Sequence, residues 1–223
     1  VVGNVQSGKT ANMAGLIAMA ADHGWNFFIV LSGTIDSLRR QTRDRLYKDL
    51  NSESAKLHWN LMDKLRPDSA DNSPRSANFS TRAIGRHLTV CLKNKRRLED
   101  LIKWINVDQN KKSQMKILLI DDEADQASIN TAQPDEERRT INRLIVNLVE
   151  GKDFKGNASG PYGAMNYVAY TPTPYANFLS EGAPESLYPR NFITLLTPSK
   201  TYFGPSEIYG SENRPGLNII NTY

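Results

Sequence analysis

At 223 residues the chain is long enough to bury a substantial core, and it reads as one large domain. Its 28 Lys+Arg against 24 Asp+Glu leave a formal charge of +4, which permits contact with polyanions without requiring it. A single cysteine, Cys91, excludes an internal disulfide and a multi-cysteine metal site and points to a reducing, cytoplasmic setting, and no apolar run approaches the ~18 residues that cross a membrane.

The chain opens on Val1-Val2, the stub of a strand, and enters a turn-prone loop at residues 3–8. With Val at the first position and an unfinished apolar run at residues 218–223, the sequence reads as an excised piece of a longer protein. Residues 9–22 carry Met13, Leu16, Ile17 and Ala20 at helical spacing, and 26–32 form an apolar run of strand length. Asp36 is a candidate N-cap for a helix bearing Leu38, Thr42, Arg45, Leu46 and Asp49, and a second helical stretch passes through Leu57, Leu61 and Leu65. Residues 67–80, rich in Ser, Asn, Asp and Pro, are expected to be loop. The alternation continues with a strand at 87–92 and a helix at 95–105 that turns Leu98, Leu101, Ile102 and Ile105 inward. A strand at 116–121, a helix at 135–149, a strand at 165–170 and a last strand at 191–196 complete it. Strands separated by helical segments imply an α/β fold, a parallel sheet with helices on both faces.

Gly3-Asn-Val-Gln-Ser-Gly-Lys-Thr10 matches the full P-loop pattern G-x-x-x-x-G-K-[ST], between a strand stub and a helix. Glycines let the backbone wrap a phosphate with its N–H groups inward, and the helix N-terminus adds partial positive charge. Gly3, Gln6, Ser7, Gly8, Lys9 and Thr10 are therefore the candidate ATP-binding set, with Lys9 reaching the β and γ oxygens and the Thr10 hydroxyl on Mg²⁺ (magnesium). The apolar run 117–120 leads into Asp121-Asp-Glu-Ala-Asp125 at a strand's carboxyl end, where α/β sheets bind ligands. Asp122 is the candidate metal carboxylate, with Asp121 competing, and Glu123 is the candidate catalytic residue that polarises the attacking water. Together these features make the chain a P-loop NTPase with a RecA-like parallel sheet, a single ATP-binding lobe over residues 1–223.

The motifs in chain order resemble the motor core of superfamily 2 helicases. Gly3 to Thr10 looks like motif I, Ile29-Val-Leu-Ser-Gly-Thr34 with Gln41 like motif Ia, Asp122-Glu-Ala-Asp125 like the DEAD-box motif II, and Tyr170-Thr-Pro-Thr-Pro-Tyr-Ala-Asn177 like motif III. A closer resemblance is to the Z-one domain family, helicase-like ATPases labelled as endonucleases and associated with bacterial restriction and defence systems. It rests on Gly3 to Thr10, Leu92-Lys-Asn-Lys-Arg-Arg-Leu98, Leu119-Ile-Asp-Asp-Glu-Ala-Asp125 and Tyr170-Thr-Pro-Thr-Pro-Tyr-Ala-Asn-Phe-Leu179, which together span most of the chain. Pro172 departs from the Ala more usual between the two threonines.

The resemblance implies nucleic-acid contacts at Gly33, Thr34, Gln41, Lys93 and Asn94, with DNA favoured over RNA, and coupling of nucleotide to nucleic acid through Asp125, Thr171 and Thr173. It also implies a second RecA-like lobe, which these residues lack, and partner proteins of a restriction or defence system. A nucleotide-gated assembly module is the competing function. Nuclease chemistry has no residue set here, and His23, His58 and His87 lack metal-ligand spacing. Trp25, Trp59 and Trp104 sit in or beside apolar patterns and are expected to pack rather than stack on bases.

Overall fold

The computed structural model describes residues 1–3, 8–51, 56–68, 72–80, 83–127, 136–173, 187, 190–197, 210–211 and 214–215. Its frame is a five-stranded, all-parallel sheet in the order β2-β3-β1-β4-β5: β1 (Phe27–Ser32), β2 (His58–Leu61), β3 (Gly85–Leu92), β4 (Lys116–Asp122) and β5 (Ala164–Tyr170). Helices α1 (Lys9–Asp22), α2 (Asp36–Leu50), α3 (Lys95–Ile105), α4 (Gln109–Lys112), α5 (Ala124–Ala127) and α6 (Glu136–Val149) link the strands. Residues 210–211 and 214–215 form β6 and β7, a two-residue antiparallel pair.

Side-chain alternation along the central strands explains why they are apolar throughout. Phe28 and Val30 of β1, with Leu118 and Ile120 of β4, face Met13, Ile17 and Ala21 of α1 and Leu46 and Leu50 of α2. Phe27, Ile29 and Leu31, with Ile117 and Leu119, face Leu98, Leu101, Ile102 and Ile105 of α3 and Leu144, Ile145 and Leu148 of α6. Both faces are covered, so all six residues of β1 are buried. Each buried Leu, Ile or Phe contributes about 1.5–3 kcal/mol. Phe27, Phe79 and Trp104 form a tilted aromatic cluster with centroids 5.5–6.4 Å apart, and Trp59 packs on Phe28 at 5.3 Å. The tryptophans at 59 and 104 are core residues.

Two buried polar side chains fasten the amino ends of the strands. Asn26 donates to the Phe79 and Gln114 carbonyls and accepts from the Lys116 N–H. Lys112, fully buried, donates to Asn106 Oδ1 and to the Gly151 and Ser159 carbonyls at 2.6–2.7 Å.

The structure departs from the sequence reading in three places. The stretch through Leu57, Leu61 and Leu65 is not helical: residues 58–61 pair with β3 from His58↔Gly85 to Leu61↔Leu88, and this pairing with Trp59 burial overrides the four-residue leucine spacing. Asp36 is the first residue of α2 rather than its cap. Ile35 holds the N-cap position without a side-chain cap, and the Asp36 carboxylate instead accepts from Arg39 and Arg40. Residues 191–196 form no strand; Leu195 makes a single bridge to Val2, with Phe192, Ile193 and Leu195 exposed. Among the described residues no helix is long and apolar enough to cross a membrane.

Candidate nucleotide site

Because the strands are parallel, their carboxyl ends gather at one edge. Ser32, Leu92, Asp122 and Tyr170 end their strands there, followed by the segments at Gly33–Thr34, Lys93–Asn94, Glu123–Asp125 and Thr171–Thr173. The P-loop joins this edge through its entry. Val2 bridges Thr171 in parallel, the Val1 carbonyl accepts from the Thr171 N–H at 3.1 Å, and the Gly3 N–H donates to the Thr171 carbonyl at 3.1 Å. The stub thus extends the sheet beyond β5, and β5 stands between the P-loop and the acidic strand.

Gly8 is the N-cap of α1 with φ 89°, a left-handed conformation that favours glycine, and a Cβ there would meet nothing within 4 Å. The α1 N-terminus has no side-chain cap and no acid in its first turn. Its partial positive charge is not offset locally, which suits an anion. Lys9 and Thr10 occupy the first two helical positions, half-buried, and the Lys9 ammonium donates to the Gly3 carbonyl at 3.4 Å. Gln6 and Ser7 lie outside the described residues.

Strand alternation separates the two aspartates. Asp121 shares the face of Ile117 and Leu119, is fully buried, and is held by Lys93 Nζ at 3.0 Å and the Tyr167 hydroxyl at 2.9 Å. Burial, reinforced by Asp121, pushes the Tyr167 phenol well above its ordinary range, so it remains a donor. Asp121 is thereby committed to interior partners. Asp122 shares the face of Leu118 and Ile120, which is the face of α1. Burial and the neighbouring Glu123 raise its carboxyl, while the charges of Lys9 and Lys93 act in the opposite direction. Lys9 begins the helix that covers this face.

Glu123 has φ 56°, one of two non-glycine residues with positive φ among those described. That conformation costs on the order of 1–3 kcal/mol and persists only where surrounding contacts enforce it. Its N–H donates to Asp122 Oδ1 at 3.1 Å. Beyond it, Asp125 accepts from Thr171 Oγ1 at 2.8 Å and from Thr173 Oγ1 at 2.6 Å, and the Thr173 N–H donates to Thr171 Oγ1 at 3.0 Å. The Tyr170 hydroxyl donates to Asn12 Oδ1 of α1 at 2.7 Å. Thr171 thus touches the P-loop entry with its backbone and the acidic turn with its side chain.

The nucleic-acid residues divide. Gly33 and the exposed Thr34 and Gln41 lie at or beside the carboxyl edge. Lys93 does not serve as a surface phosphate contact: it is fully buried, and its three donors meet Asp121 Oδ1 at 3.0 Å, the Asp122 carbonyl at 2.6 Å and the Glu123 carbonyl at 2.7 Å. Asn94 has an assigned partner too, its side chain accepting from the Arg97 N–H to cap α3. The exposed cations follow directly, Lys95 and Arg96, with Arg97 half-buried beside them. Lys95, Arg96 and Arg97 line an open groove with Lys64, Asn94, Leu92, Asp36 and Glu137, and Arg97 Nη1 is buried there without a hydrogen-bond partner. Lys95, Arg96 and Arg97 stand outside the residues expected from the sequence, because which cations of the run 93–97 face solvent depends on where β3 ends.

Among the described residues no three His, Cys, Asp or Glu side chains gather as a metal cluster. Mg²⁺ needs only one or two protein oxygens beside phosphates and waters, and Thr10 with Asp122 supplies such a sparse set. The donor chemistry of the edge fits a magnesium-bound nucleoside triphosphate.

No family model matches the chain, and no curated protein matches it, so the Z-one resemblance stands on its motifs alone. Among solved structures the chain is similar to a DUF1998 helicase, MrfA, determined bound to DNA, at 16% identity and a TM-score of 0.44. The match covers 81% of this chain and 23% of that one, so this chain spans about a quarter of the helicase's length.

Proposed function

We propose that this chain is the nucleotide-binding lobe of a nucleic-acid-dependent NTPase. The observation that carries the reading is the meeting of three motif segments at Thr171: its backbone is bonded to Val1 and Gly3 at the P-loop entry, and its hydroxyl to Asp125 of the acidic turn. A P-loop turn alone would not require an acidic strand end and a threonine pair at its mouth. The Gly8 and α1 amides and Lys9 would hold the β- and γ-phosphates, and Thr10 and Asp122 would hold Mg²⁺, which neutralises charge developing on the phosphates. Glu123 would orient a water whose oxygen bonds to the γ-phosphorus as the bond to the β–γ bridging oxygen breaks, with the water's proton passing to the carboxylate or a phosphate oxygen.

The groove at Lys64, Lys95, Arg96 and Arg97 supports nucleic-acid contact of the sequence-independent kind, in which cations displace counterions from phosphates. A restriction or defence setting rests on the motif resemblance. Calorimetry with Mg-ATP and turnover with and without single- and double-stranded DNA test the proposal. The expected result is binding weakened at least tenfold in Lys9→Ala and turnover stimulated by DNA. Equal affinity in wild type and variant would refute nucleotide binding, and turnover indifferent to DNA would favour a nucleotide-gated assembly module instead.

A further inference from the structure

We infer that Lys93 is a positioning residue for Glu123: its buried ammonium pins the turn that holds the water-facing carboxylate in the left-handed backbone conformation. The inference rests on the NTPase reading only where it concerns turnover; the pinning itself is a property of the fold. Lys93 follows β3, and β4 is not its neighbour in the sheet, because β1 lies between them. The Lys93 N–H donates to the Ser32 carbonyl at 3.1 Å, which fixes the residue at the end of β1, and the side chain reaches past that end to the acidic turn.

There its partners are specific. A buried ion pair needs only one carboxylate, yet two of the three donors go to the main-chain carbonyls of Asp122 and Glu123. Those two carbonyls bracket the φ and ψ of Glu123, the torsions that set the turn, and its φ is 56°. Buried carbonyls without a donor are costly, so these bonds hold the unusual conformation against relaxation to the right-handed or extended region. Asp121 supplies the compensating charge, and Tyr167 holds Asp121 in turn. Neither Asp121 nor Lys93 has exposed surface, so neither touches nucleotide directly, and the Lys93 bonds reach the site through the backbone they fix.

The test uses the intact protein carrying Lys93→Met with Asp121→Asn, which removes both buried charges together, and Tyr167→Phe as a control that loosens the interior without releasing the turn. In the double variant, amide exchange of residues 123–125 is expected to accelerate at least tenfold while the amides of α1 keep their protection. Mg-ATP affinity should remain within threefold, and kcat should fall at least tenfold, with neither changed in Tyr167→Phe beyond threefold. Adding Glu123→Gln should lower kcat by about 10²-fold in the wild type but by no more than about tenfold in the Lys93 background, since much of the carboxylate's contribution is already lost there. Unchanged exchange at 123–125 overturns the inference whatever the activity, and so does a full, additive Glu123→Gln effect in the Lys93 background. If the double variant does not fold, Lys93→Gln with Asp121→Asn, closer in polarity, is read by the same exchange measurement. Wild-type protein that neither binds nor hydrolyses Mg-ATP would defeat the NTPase reading separately, and the exchange result would still decide the pinning.

Discussion

Removing the threonine hydroxyls one at a time should separate coupling from stability, because the two residues differ in burial. Thr171 is 4% exposed and both donates to Asp125 and accepts from the Thr173 N–H, whereas Thr173 is exposed and its hydroxyl donates only to Asp125. Thr171→Val keeps the branched shape and removes a buried hydrogen bond to a carboxylate, which costs about 1.5–3 kcal/mol. For a chain of this length that corresponds to a Tm lower by about 3–12 °C. Thr173→Ala removes a solvent-facing bond and should cost no more than about 1 kcal/mol, or about 2–4 °C. If Asp125 reports the state of the phosphate site through these bonds, both variants lower DNA-stimulated turnover at least tenfold while Mg-ATP affinity stays within threefold. Differential scanning fluorimetry and steady-state turnover with and without DNA read the two quantities on the same samples. The reasoning is refuted if Thr171→Val melts lower and is stimulated normally, for then the hydroxyls are structural and the motif III assignment falls. It is refuted equally if Thr173→Ala leaves the stimulation ratio unchanged, since that variant tests the bond to Asp125 with little effect on packing.

Glu123→Gln should retain Mg-ATP binding and lower turnover by about 10²-fold, and near-normal turnover would move the water-orienting role to another carboxylate. Gly8→Ala places a side chain at φ 89°, where the surroundings are open but the backbone is strained, so a destabilisation of about 1–2 kcal/mol is expected with a matching fall in Mg-ATP affinity by calorimetry. Replacing Lys95, Arg96 and Arg97 together by Ala should weaken DNA binding uniformly across sequences and reduce the slope of log K against log salt by about one for each phosphate that is no longer neutralised. An unchanged slope in fluorescence anisotropy titrations would show that the groove does not meet the backbone.

The parts of the site legible in the sequence were those carried by contiguous residues. The P-loop pattern, the helical stripe through Met13 and Ile17, and the apolar run ending in acid at Asp121 are each read from neighbouring residues; the structure brings the P-loop entry and the acidic turn to one edge and packs the stripe on one face of the sheet. Two kinds of feature were hidden. The spacing of Leu57, Leu61 and Leu65 suits a helix, yet strand pairing with β3, remote in sequence, decides that segment, and no local signal reports it. The role of Lys93 was hidden similarly: its partner Asp121 lies 28 residues on, and a lysine after an apolar strand looks the same whether its head meets solvent or a buried turn. Alternation alone separates Asp121 from Asp122 once the face of α1 is known, but that face is set by the sheet order.

The two polar fastenings at the amino ends of the strands have a consequence for how this protein can be altered. Asn26 and Lys112 each gather three groups, Asn26 from the Phe79 and the Gln114–Lys116 segments and Lys112 from Asn106, Gly151 and Ser159, so the edge remote from the acidic turn is tied together by bonds that do not depend on any loop at the other end. Libraries of substitutions confined to Thr34, Gln41, Lys95, Arg96 and Thr173 would then sample binding and turnover on a foundation that stays fixed, whereas a single exchange at Asn26 or Lys112 would spread its damage across every variant built on it.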